Sequence, residues 1–368
     1  MGSPPATYAL SSSNFRPMSA RTIQAYATFD SSGECKPWQY EPRPLGTEDV
    51  EIKITHCGIC GSDVHTLDSG WGPAKYPVVT GHAIVGTVTT TGSDVKHLAV
   101  GDRVGVGTMV WACRNKDPSS PCDERADGFD PYCKNVVMTC NSLYKDGPKS
   151  YGGYADFVLF KIPENIPSDE AAPLLCAGVM VFAPLRREGV KPGDRVGVIG
   201  IGGLGHLAIQ FIRAMGGIPV AFSHSTDKEQ EVRALGAQYF YNLSDPKDAK
   251  RAKKVVLAAD ANNMPYDTYL SLLRPRGTFI MVGLPNDKLV CTPGSFVRDG
   301  KRLVDSKIGI PQDVREMLDI ASKGNVRPII QKLPMEKVND GLEMVRSGRV
   351  RYRVVLENPD VERVPSNL

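Results

Sequence analysis

Arg195-Val196-Gly197-Val198-Ile199-Gly200-Ile201-Gly202-Gly203-Leu204-Gly205 is the stretch that decides the fold. A short β-branched run enters a G-x-G-x-x-G turn, and a helical pattern leaves it from Leu204 to Met215. Gly200 permits the tight turn, Gly202 lets the backbone approach a pyrophosphate, and Gly205 lets helix pack on strand. The helix N-terminus then faces the phosphates. Glycine-rich turns are common, so the weight lies in the strand before this one and the helix after it. Gly203 and Leu204 complete the candidate cofactor-binding loop.

Downstream the same alternation continues. Ile218–Phe222 reads as a strand and Lys228–Leu235 as a helix. Val255–Ala259 and Thr278–Val282 read as further buried strands. Strand, glycine turn, helix, strand is the βαβ order of a Rossmann domain, so the fold class is α/β. The tip of the second strand decides between the two nicotinamide dinucleotides. An acid there would hold the adenosine ribose and repel a 2′-phosphate. The tip reads Ser223-His224-Ser225-Thr226-Asp227-Lys228, with hydroxyls at Ser223 and Ser225 and a cation at Lys228. That favours NADP(H), although Asp227 lies close and an ordinary polar loop with a helix cap would read alike.

Upstream, residues 22–161 read mainly as β. Glu51-Ile52-Lys53-Ile54 alternates, and Ala83–Val88, Arg103–Val106 and Ala155–Leu159 are short runs between glycine-rich turns. Ala171–Leu185 reads as an apolar helix. Near the C-terminus, Val314–Ser322 and Val338–Arg346 read as helices, and Arg353–Leu356 as a strand that rejoins the first domain. The predicted organisation is a flexible tail over residues 1–21, a catalytic domain of residues 22–176 and 318–368, and a dinucleotide-binding domain of residues 177–317.

Three residues in the β-rich part carry chemistry. Cys60 lies in Cys57-Gly58-Ile59-Cys60-Gly61-Ser62-Asp63-Val64-His65, His82 follows Gly81, and Cys176 lies in Leu175-Cys176-Ala177-Gly178. Two thiolates and an imidazole are one ligand short of a closed tetrahedral Zn2+ site, which is the pattern of a catalytic zinc. Each alone would read as a buried hydrophobe or a satisfied core histidine, so the case rests on joint context. Asp63 can take the other ring nitrogen of His82 and fix its tautomer. Ser62 and His65 can pass a proton outward. Cys57 mimics a C-x-x-C knuckle but is read as a non-ligand, because Cys60 carries the Ser/Asp/His tail.

These words resemble the zinc-dependent medium-chain dehydrogenase/reductases, most closely the NADP-dependent cinnamyl alcohol dehydrogenase branch. The matching stretches are Cys57–His65, Trp71-Gly72, Tyr76–Gly86, Gly101–Gly107, Tyr151–Ala155, Pro173–Pro184, Gly200–Gly205 and Val350–Arg353. The resemblance implies a GroES-like catalytic domain beside the Rossmann domain. It implies catalytic zinc at Cys60, His82 and Cys176, and a proton relay through Ser62 and His65. It also implies a homodimer, and positions Trp71, Thr108, Trp111 and Phe182 near a substrate cleft. Trp71 matches a tryptophan of the cinnamyl branch, and aromatic walls suit a flat or hydrophobic aldehyde.

Two departures stand out. The family usually carries Glu directly after the ligating histidine, where this chain has Ala83. The family also has four closely spaced cysteines in a structural-zinc lobe. Here Cys113 and Cys133 match the outer pair, Cys122 remains between them, and Cys140 is an unmatched possible replacement. Asp117, Asp123, Glu124, Asp127 and Asp130 are oxygen donors in reach by sequence. A second, structural zinc and a metal-free, remodelled loop both stay open.

The functional expectation is NADPH-dependent aldehyde reduction, reversibly alcohol oxidation. Reduction of an iminium or activated C=C bond is the enzymatic alternative, and a non-catalytic NADPH-binding protein is the other. The net charge is +3 with no basic run, so nucleic-acid binding gets no support. No apolar stretch reads as a membrane span. Nine cysteines, an odd count without a secretory signal, fit metal binding in the cytoplasm better than disulfides.

Overall fold

The computed structural model describes residues 22–113, 115, 119, 121–144, 147–152, 159–244 and 252–358. The N-terminal tail, Asp117 and residues 155–158 of the expected strand lie outside them. Two six-stranded sheets organise the described residues.

The first sheet runs Ile330–Pro334, Arg353–Glu357, Val50–Ile59, Ala83–Thr91, Arg103–Val106, Leu159–Lys161. Its strands pair antiparallel except for Ile330–Pro334 with Arg353–Glu357. The Glu51–Ile54 alternation is the start of a longer strand that runs on to Ile59 and so delivers Cys60 at its end. The last strand enters from the other end of the chain. Val354 pairs with Ile59 in antiparallel register, which carries Arg353 to the level of Cys60. A buried cation thereby reaches the expected metal site from almost 300 residues away in sequence.

The second sheet is all parallel, in the order Tyr239–Asn242, Ile218–Ser223, Arg195–Ile199, Ala252–Leu257, Leu273–Met281, Arg302–Asp305. The chain builds outward from Arg195–Ile199 on one side, then returns to its other side. The crevice at this switch point, beyond the strand ends, is where such sheets bind ligands. Strand Ala252–Leu257 ends earlier than the sequence predicts, so Ala258, Ala259 and Asp260 form a loop at the crevice.

Helices Val179–Arg187, Gly205–Ala214 and Pro311–Lys323 share one core cluster. Phe182 belongs to that core. It is buried, 5.5 Å from Phe211 ring to ring, and does not line a cleft. The predicted Ala171–Leu185 helix is a continuous helical stretch, Ser168–Arg187. By length and composition alone it could span a membrane, which corrects the expectation that no apolar stretch reaches that length. Yet most of its apolar part is buried inside the protein, so its apolarity serves the core.

Candidate metal and cofactor site

Helix Gly61–Leu67 starts immediately after strand Val50–Ile59, with Cys60 in extended conformation at the junction. Asp63 caps this start. Its Oδ2 accepts from the Cys60 backbone N–H at 2.9 Å. Its Oδ1 accepts from the Gly81 N–H at 3.0 Å and lies 3.0 Å from His82 Nδ1. Asp63 is only 2% exposed, so one buried carboxylate fixes both the Cys60 turn and the His82 ring. This arrangement leaves His82 Nε2 turned the other way, 3.0 Å from Cys176 Sγ and 3.5 Å from Ser62 Oγ.

Cys176 sits in a π-helical turn, Leu174–Gly178, in the middle of the buried stretch. Such turns are often found at functional sites. The ligand atoms of Cys60, His82 and Cys176 all lie within 4.8 Å of one another. The hydrogen bond from Cys176 pulls Cys60 well below the usual thiol value, and the same contact pushes Cys176 well above it. Burial disfavours charge on His82, but Asp63 and the Cys176 sulfur raise it well above an ordinary histidine. Soft sulfur and imidazole donors in a closed, buried triangle fit a zinc ion with one position left for another ligand.

Arg353 is the candidate site residue that sequence reasoning missed. It is 7% exposed, and its Nε and Nη2 have no hydrogen-bond partner among the described residues. Burial pulls against its charge, while the Cys60 and Cys176 sulfurs hold it above the ordinary arginine value. A Cβ on Gly203 would stand 3.0 Å from Arg353 Cδ, so the same side chain touches the glycine loop. The word Val350–Arg353 was visible as a matching stretch; its position beside the metal site required the register of the last strand.

The glycine loop is shaped as the sequence predicts. Gly200 has φ +89°, and a Cβ on Gly205 would collide with the Gly200 carbonyl oxygen. At Gly202 no atom stands within 4 Å of a Cβ position, so its backbone faces open space. Those features, with the two unpartnered guanidinium nitrogens of Arg353, fit a dinucleotide pyrophosphate. Ser223 Oγ accepts from Ser225 N–H at 3.2 Å, and Ser225 Oγ accepts from Asp227 N–H at 3.2 Å. Lys228 Nζ donates to the Ile201 carbonyl at 2.9 Å, and burial lowers its pKa. Asp227 is exposed, while both serines and Lys228 are half-buried around the strand tip.

His65 stacks on Trp71, ring centroids 4.4 Å apart and planes 15° apart. Trp71 is 47% exposed, as a cleft wall would be. Thr108 follows Gly107, whose Cβ position lies 3.2 Å from the Leu175 carbonyl, so that turn abuts the Cys176 turn. Trp111 packs, half-buried, on the core of the first sheet.

The lobe brings Cys113, Cys122 and Cys133 together, their sulfurs within 4.8 Å of one another. Cys133 and Cys113 are 3.4 Å apart, and Cys122 Sγ lies 3.3 Å from Glu124 Oε2. Cys140 is not a replacement ligand in this lobe. The strand pair Met109–Trp111 and Val137–Met138 carries it back towards Asp63 and His82, within 4.8 Å of both.

Two thiols, an imidazole and a Rossmann glycine loop, bridged by one arginine, define a zinc-type dehydrogenase. The comparisons agree. Residues 46–168 match the model of the alcohol dehydrogenase GroES-like domain, and residues 203–323 that of the zinc-binding dehydrogenases. The chain is 40% identical to probable cinnamyl alcohol dehydrogenase 3 of Oryza sativa subsp. japonica over 342 residues, 90% of this chain and 92% of that one. A solved cinnamyl alcohol dehydrogenase of Sorghum bicolor superposes with TM-score 0.87 at 34% identity, covering 93% of this chain and 99% of that one. The cinnamyl alcohol dehydrogenase of Helicobacter pylori, solved with NADP(H), gives TM-score 0.84 at 29% identity, covering 93% and 99%. The chain belongs to the zinc-dependent medium-chain dehydrogenase/reductase family, in its cinnamyl alcohol dehydrogenase branch.

Proposed function

We propose that this protein reduces an aldehyde to an alcohol with NADPH, reversibly. The observation that carries this reading is the Cys60, His82 and Cys176 cluster beside the glycine loop: the last strand brings Arg353 level with Cys60, and its side chain packs by Gly203. When bound, zinc polarises the carbonyl oxygen and the nicotinamide supplies hydride. Cys60, His82 and Cys176 would hold the metal, with Asp63 fixing the His82 tautomer. Gly200, Gly202, Gly203, Leu204, Gly205 and Arg353 would hold the pyrophosphate. Ser223, Ser225 and Lys228 would take the 2′-phosphate. Ser62 protonates the product oxygen as hydride arrives, and His65 restores the Ser62 proton. Trp71 offers a flat apolar wall to the substrate. Family membership favours this reading over an imine reductase or a silent binder.

We further read Cys113, Cys122 and Cys133 as a structural zinc site, since three thiolates this close repel unless a cation or protons intervene. A homodimer is supported by the exposed Leu303 on edge strand Arg302–Asp305, with Val297 at 81% and Val290 at 74% exposure nearby in sequence. Nine free thiols fit the cytoplasm. The test is direct. Metal content is measured, then aldehydes and imines are screened with NADPH and NADH. Zinc-dependent turnover of aldehydes with NADPH is expected, and turnover of imines alone would overturn the reading.

A further inference from the structure

The described proton path ends at His65, and the structure places a carboxylate at its outer nitrogen. Asp260 Oδ2 stands 3.7 Å from His65 Nε2. The two belong to different sheets' surroundings. His65 lies on helix Gly61–Leu67, at the end of the first sheet, and Asp260 in the loop that follows strand Ala252–Leu257 of the second. Their contact spans the crevice between the glycine loop and the metal site.

His65 is held for this contact from two further sides. Trp71 lies flat against the ring. Gly70 donates its N–H to the His65 carbonyl at 2.8 Å, and a Cβ there would press to 2.9 Å from His65 Nδ1. The ring therefore has a fixed plane, with Nε2 turned to Asp260. The other charges nearby are occupied. Asp68, on the same turn, is paired with Arg346 of helix Val338–Arg346 at 2.6 Å. Asp63, on the buried side of the helix, is taken by His82 and Gly81. Asp260 is 47% exposed on its side chain, and so in contact with water.

We propose that Asp260 is a positioning residue of the proton relay: it orients His65 and links its Nε2 to solvent. The proposal rests on the reading of Ser62 and His65 as the relay. In aldehyde reduction, the Ser62 hydroxyl proton goes to the product oxygen, a His65 proton restores Ser62, and water returns a proton to His65. The cofactor's hydride supplies the electron pair, so no other reductant is needed.

The test is kcat, KM and the solvent deuterium isotope effect of reduction in wild type, Asp260→Asn, Asp260→Glu and His65→Gln, with cofactor affinity from nicotinamide fluorescence and melting temperature alongside. A group that positions the relay acts on proton transfer, so Asp260→Asn should lower kcat roughly three-fold and raise the isotope effect. Asp260→Glu should restore both, with KM and cofactor affinity changed less than about two-fold. An unchanged kcat and isotope effect in Asp260→Asn, where His65→Gln alters them, overturns the proposal and leaves the relay standing. Unchanged values in His65→Gln overturn the relay reading, and the proposal with it.

Discussion

Asp63 and His82 meet at 3.0 Å, carboxylate Oδ1 to imidazole Nδ1, both buried. The same carboxyl group caps the Cys60 turn and the Gly81 N–H, so removing it disturbs two expected ligands at once. Asp63→Asn keeps the shape but replaces a charged acceptor with a neutral one that has a donor to satisfy. Zinc affinity at the Cys60 site should fall about 10- to 100-fold. Competition with a chelator of known affinity measures it, and an unchanged affinity would show that the contact is only structural.

Ser223 and Lys228 frame the strand tip where a ribose phosphate would lie. Ser223→Asp puts an anion there, and loss of charged hydrogen bonds should cut NADPH kcat/KM by about 10- to 100-fold. NADH should then be preferred. Equal use of both cofactors by the unchanged protein would remove the basis of the assignment.

The Rossmann class and the glycine turn were legible because βαβ alternation and G-x-G-x-x-G are local signals. The metal triangle was legible for the same reason: each ligand stands in its own short word. What escaped was set by tertiary register. Arg353 reaches the site only because Val354 pairs with Ile59, and Cys140 leaves the lobe because its strand turns back on Met109–Trp111. Phe182 shared a motif with Cys176 but is buried in the core against Phe211. Short edge strands such as Tyr239–Asn242 and Arg302–Asp305 carry too little pattern to be read alone.

The lobe offers a count. Three clustered thiols predict a second zinc equivalent per chain, and Cys122→Ser should remove one equivalent while leaving the other. Elemental analysis after exhaustive dialysis decides it. One equivalent in the unchanged protein, insensitive to Cys122→Ser, would mean a metal-free lobe.

His206 opens the cofactor helix and is fully buried, stacked on Tyr352 at 4.8 Å. Desolvation pushes its pKa down to about 4. The native protein therefore refuses a proton that the unfolded chain, at about 6.5, accepts. Stability should fall as pH drops from about 6.5 to about 4, and this contribution should be level below that. Between pH 7.5 and 5 the wild type should lose about 2 kcal/mol that His206→Gln does not. Denaturant unfolding at the two pH values tests this, and equal losses in both proteins would contradict it.

Ala83 carries the sharpest test of how this chain departs from its family. It follows His82 directly, is wholly buried, and its Cβ lies 3.2 Å from where a Gly58 side chain would begin. Ala83→Glu would bring one negative charge into a low-dielectric pocket beside the metal ligands. Without metal, that charge is unpaired and should cost about 3 kcal/mol, or be neutralised by a proton. With zinc bound, the cation offsets it, so zinc should raise the melting temperature of Ala83→Glu more than that of wild type. If the missing Glu slows ligand exchange at the metal, turnover of simple aldehydes and alcohols should rise. If Ala83 serves a particular substrate, that reaction should fall while the generic one rises. Steady-state kinetics over an aldehyde panel, with and without added zinc, separates the two, and no change in melting, zinc retention or substrate profile would show the alanine to be neutral.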